Sequence, residues 1–64
     1  MNNQQRKRHY RITYQKADGF RGACFIAEEN AEFAIIDFKL RTGNSRESVI
    51  CVDVQLGKDW VRAL

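Results

Sequence analysis

From His9 to Lys16 apolar and polar side chains alternate, with Tyr10, Ile12 and Tyr14 on one side and Arg11, Thr13 and Gln15 on the other. Successive side chains of a strand point to opposite faces, so this stretch reads as a half-buried β-strand. Asp18-Gly19 follows, and Phe20 to Ala27 reads as the returning strand. Asp-Gly is a favoured pair for a two-residue type I′ turn, in which both central residues take positive φ. Such a turn sets Ala17 opposite Phe20, Tyr14 opposite Ala23, Ile12 opposite Phe25 and Tyr10 opposite Ala27. Directly opposed residues share a face, so Tyr10, Ile12, Tyr14, Ala23, Phe25 and Ala27 are expected to form one apolar surface.

The period then changes. Asn30 is a good N-cap, and Glu28, Glu29 and Glu32 cluster where a helix macrodipole is positive. A helix is expected from Ala31 to about Thr42, ended by Gly43 at the position where helices turn left-handed. Residues 43 to 48 read as a polar loop. Val49 to Leu56 alternates again and predicts a third strand, with Ile50, Val52, Val54 and Leu56 inward and Val49, Cys51 and Asp53 outward. Gly57-Lys58-Asp59 reverses the chain, and Trp60 to Leu64 is the candidate for a short fourth edge strand. A right-handed crossover after the hairpin carries the third strand to the free side of the first. The expected fold class is therefore α+β, an antiparallel sheet in order 2-1-3 with one helix on one face. Residues 9–64 form the single domain of this reading, preceded by a flexible basic tail, residues 1–8.

The helix has two apolar stripes. At about 100° per residue, Ala31, Ala34, Ile35, Phe38 and Thr42 share one arc, wide enough to cover the sheet. Phe33, Ile36 and Leu40 gather on nearly the opposite side. Either Trp60, Val61 and Leu64 fold back over this second stripe, or the two stripes exchange roles, or the stripe stands in solvent. In the last case it is a protein-binding face or a dimer interface.

Composition narrows the function classes. A chain of 64 residues has room for one thin core and little for an enclosed substrate cavity. Candidate chemistry is sparse. His9 is the one histidine, Cys24 and Cys51 are 27 positions apart, and the four glycines occur singly, without a phosphate-binding loop. One His and two distant Cys do not make a usual zinc set. Glu28, Glu29 and Glu32 are accounted for by the helix N-terminus. No catalytic residue, metal or cofactor is expected. Both cysteines are expected on the outer face, on strands about 9.5 Å apart, beyond disulfide reach. No apolar run approaches a membrane span, and Arg6-Lys7-Arg8 is not followed by the apolar region of a signal peptide, so a cytoplasmic location is expected.

Charge is uneven. Residues 1 to 22 carry six basic side chains against Asp18, whereas residues 23 to 64 carry five basic and seven acidic ones. The basic end supplies a second candidate surface. Arg6, Lys7, Arg8 and Arg11, interleaved with His9 and Tyr10, have the charge and rings to hold nucleic-acid phosphates and bases.

The stretch from Ala27 to Gly43, AEENAEFAIIDFKLRTG, resembles the helix unit of many small β-β-α-β proteins, with the pattern A-x-x-A-I-x-x-F-x-x-x-T-G. Such domains recur among phage-encoded host-takeover proteins, including anti-CRISPR proteins. In that pattern the places of Phe33, Ile36 and Leu40 are commonly polar; here all three are apolar. The resemblance implies a mobile-element inhibitor that binds and blocks a larger protein or ribonucleoprotein complex, with no catalytic residue to carry over. The leading expectation is thus a protein-binding module anchored by Phe33, Ile36 and Leu40. The alternative is a nucleic-acid-binding accessory protein using Arg6, Lys7, Arg8, Tyr10 and Arg11. A homodimeric structural subunit comes third.

Overall fold

In the computed structural model, which describes residues 7–64, four strands surround one helix in chain order. They are β1 (Arg8–Gln15), β2 (Arg21–Glu28), α1 (Ala31–Thr42), β3 (Val49–Leu56) and β4 (Asp59–Arg62), with a short 3-10 turn at Arg46–Ser48 before β3. The sheet is antiparallel throughout, in order β2-β1-β3-β4, and α1 lies on one face. This is the expected α+β architecture, with the fourth strand realised at the far edge. β1 starts one residue earlier than the alternation suggests, at Arg8.

The helix has the predicted bounds because both ends are capped. Asn30 accepts the Phe33 N–H at 2.8 Å, satisfying one amide that the first turn leaves without a partner. At the other end Gly43 takes φ 75°, a left-handed conformation open to glycine, and donates its N–H to the Lys39 carbonyl at 2.9 Å. Ala34, Ile35 and Phe38 point down and are buried with Tyr10, Ile12, Ile26 and Val52.

The hairpin register differs from the expected one by one residue. Only glycines among the described residues have positive φ, so Asp18 cannot occupy a type I′ turn. Within this turn Gly19 is the residue with positive φ, at 92°; its N–H donates to the Lys16 carbonyl, and the Lys16 N–H donates to the Phe20 carbonyl. That is a three-residue loop closing on a glycine bulge, the other turn that Asp-Gly supports. The Asp18 carboxylate secures it by accepting the Phe20 N–H at 2.9 Å. The longer loop pairs Tyr14 with Gly22, Ile12 with Cys24 and Tyr10 with Ile26. Cys24 and Ile26 therefore face the helix, and Ala23, Phe25 and Ala27 the opposite side. Gly22 has a packing reason as well. A Cβ there would lie 2.9 Å from Cζ of Tyr14, whose ring crosses β2 to meet Phe38 edge-on at 4.9 Å.

β3 departs from strict alternation too. Thr13 pairs with Cys51 but Tyr14 with Val49, so Ile50 is the extra residue of a bulge. Val49 turns to the core, and Ile50, expected inward, is exposed. Leu56 is also exposed, because α1 packs chiefly over β2 and β1 and does not extend to that end of β3. Asp53 faces outward as expected yet is nearly buried, since neighbouring side chains cover it.

The corrected register places Cys24 on the inner face, opposite Ile12, and Cys51 on the outer face, opposite Thr13. Both thiols are free, and they lie on opposite faces with β1 between their strands. Burial pushes the Cys24 thiol above its ordinary range, opposed by nearby Arg41. The melting temperature is accordingly expected to be the same with and without reductant. A sharp drop on reduction, followed by circular dichroism, would contradict this arrangement.

Candidate functional site

The two faces of the molecule carry different chemistry. On the helix side, Phe33, Ile36 and Leu40 are 46%, 53% and 81% exposed. They surround a shallow depression of about 340 Å³, rimmed by Glu28 at the end of β2 and Asp37 on α1. The C-terminal segment does not cover them. It pairs with β3 at the far edge of the sheet, where Ala63 and Leu64 donate their N–H groups to the Val52 carbonyl. The stripes do not exchange roles either, since Phe38 is fully buried.

Charges flank the stripe in ordered positions. Arg41 donates to Asp37 at 3.0 Å, one turn apart on the β2 side. On the other side Arg46 reaches back from the 3-10 turn to Glu32 at 3.0 and 3.4 Å, which holds the Glu32 carboxyl below its usual range. Glu32, Arg41 and Arg46 are exposed and Asp37 half-buried, and ion pairs in such surroundings contribute little to stability. Their effect is to frame the apolar side chains with fixed charges.

The outer face of the sheet brings together residues that lie far apart in the chain. The pairing register aligns Phe25, Arg11, Asp53 and Arg62 in one row across all four strands. Arg11 donates to Asp53 at 3.1 Å, and Arg62 lies 3.4 Å from the other carboxylate oxygen. The Arg11 guanidinium also sits 4.8 Å over the Trp60 ring, and Trp60 meets Phe25 edge-on at 5.9 Å. Phe25 remains 61% exposed. At one end of β1, a shallow cleft of about 350 Å³ is lined by Lys7, Arg8 and His9 together with Gln55.

The basic candidates of the sequence are thus divided. Lys7 and Arg8 line the cleft, and Arg11 lies in the outer row. Tyr10 is buried against the helix at 5% exposure, so its ring is not offered to a ligand. Arg6 lies outside the described residues. Phe25, Trp60 and Arg62, which share the outer face with Arg11, escaped the sequence reading. The signal that finds them is the opposition of Arg11 to both Phe25 and Asp53, and it requires the correct turn length. None of the known protein families, curated proteins or solved structures compared with the chain matches it.

Proposed function

We propose that this chain is a non-enzymatic, cytoplasmic protein-binding module that blocks a larger host complex through Phe33, Ile36 and Leu40. The observation that carries the reading is that three large apolar side chains stand exposed together while the domain's own C-terminus packs elsewhere. Monomers rarely leave such a cluster uncovered without use. Their spacing is that of helix anchors that enter a partner's apolar groove. Glu28 at the rim favours a partner that brings a basic side chain to that edge of the apolar contact, while Asp37 is already paired with Arg41.

The test compares wild type with Leu40→Glu and Ile36→Glu in capture from host lysate at high salt, alongside sedimentation of each protein alone. Support consists of a captured complex that survives salt, is lost in both variants, and binds a wild-type monomer. Losses at interface anchors reach about 2 kcal/mol or more, enough to abolish capture. A wild-type dimer that Leu40→Glu converts to a monomer would assign the stripe to a second copy of the chain. Unchanged capture by both variants would overturn the proposal.

A further inference from the structure

We infer that the outer sheet face, centred on Phe25 and Trp60, binds single-stranded nucleic acid by stacking bases on these rings and holding phosphates with the surrounding cations. This surface is independent of the helix stripe, which lies on the other side of the sheet.

Three observations converge on it. First, two aromatic rings from opposite edges of the sheet meet on its outer surface, and Phe25 is 61% exposed. A ring turned to solvent on a sheet offers its π-face to any base, which makes such stacking tolerant of sequence. Second, arginines surround the rings. Arg62 is 66% exposed at its side chain, and the Arg11 guanidinium sits 4.8 Å from the centre of the Trp60 ring. Asp53 neutralises one of the two guanidiniums and orients both, so the row keeps an excess positive charge. Third, the cleft lined by Lys7, Arg8 and His9 opens at the end of β1, and Gln55 of that cleft pairs with Trp60 in the sheet. Lys7 and His9, which fall on the Arg11 side of the strand alternation, continue the track that a phosphate backbone needs beyond the stacked bases.

Polarity of charge selects the occupant. Of the eight acidic residues, Glu28, Glu29, Glu32 and Asp37 lie at the end of β2, in the following turn or on α1, whereas Asp53 in the outer row faces two arginines. A duplex presents no unstacked base to Phe25 or Trp60, whereas a single strand does. An acidic protein segment would answer the charge but leave the rings without a stacking partner.

Trp60 is the one tryptophan, so its fluorescence reports directly on the site. The experiment titrates the full chain with a single-stranded oligothymidylate and a mixed-sequence RNA oligomer, following Trp60 emission and the anisotropy of a labelled strand. Expected are quenching of Trp60, weaker binding to the matching duplex, and affinity that falls steeply between about 50 and 200 mM salt. Phe25→Ala and Trp60→Ala should each weaken binding by about fivefold to a hundredfold, the range of one lost base stack. Arg62→Ala should reduce the slope of log affinity against log salt by about one. Leu40→Glu should bind oligomers as wild type does, which separates this site from the helix face. Because Phe25 is mostly exposed, its variant keeps the test valid even if Trp60→Ala fails to fold. Absence of binding at low salt would overturn the inference. So would binding without Trp60 quenching that Phe25→Ala leaves unchanged, or equal competition by a poly-glutamate peptide.

Discussion

Phe38→Ala is expected to destabilise the domain by about 3–5 kcal/mol, the usual cost of emptying a buried phenylalanine site. Phe38 has no exposed surface, and its ring carries the edge contact with Tyr14 that joins helix to hairpin. Domains hold roughly 0.05–0.15 kcal/mol per residue. For a chain of 64 residues the loss is therefore comparable to the whole stability. Leu40→Ala, two residues further along the same helix but 81% exposed, is expected to stay within about 0.5 kcal/mol of wild type. Urea melts of both variants measure the contrast. Equal destabilisation would mean that the second stripe is core, and the proposed binding face would fall with it.

The second large effect concerns the hairpin register. Ile26→Asp is expected to unfold the domain, because Ile26 is 2% exposed and a carboxylate there has no described partner in the core. Burying an unpaired charge is among the few mechanisms that exceed about 4 kcal/mol. Phe25→Asp, at the adjacent position, is expected to fold. It loses the edge contact with Trp60, worth about 0.5–1.5 kcal/mol beyond burial, while its side chain stays in water. A two-residue type I′ turn predicts the reverse order. Thermal melts of the two variants therefore decide which face of β2 lies under the helix, and thereby whether Phe25 belongs to a core or to a binding surface.

The helix was legible in the chain to the residue. Asn30 and Gly43 act within a few positions of themselves, through one side-chain oxygen and one left-handed glycine, so no distant contact is needed to place them. The same holds for the third strand, whose alternation is long enough to mark it, and for strand order, which follows from the handedness of the crossover. Phe33, Ile36 and Leu40 were separable from Ala34, Ile35 and Phe38 because helical geometry sets their angles regardless of surroundings.

What the chain left open depended on choices between local conformations of similar energy. Asp18-Gly19 supports a two-residue turn or a three-residue loop, and one residue of difference exchanges every side chain of β2 between faces. The packed structure selects the second, because it puts Ile26 in the core and lets Tyr14 pass over Gly22 to Phe38. The bulge at Ile50 and the exposure of Leu56 are likewise set by which strands the helix covers. The row of Phe25, Arg11, Asp53 and Arg62 is a product of three pairings at once. By itself the sequence determined the elements, their caps and the two-faced helix, since those rest on neighbours in the chain. Only the tertiary structure decided which residues share the outer sheet face, because register is settled by packing across strands.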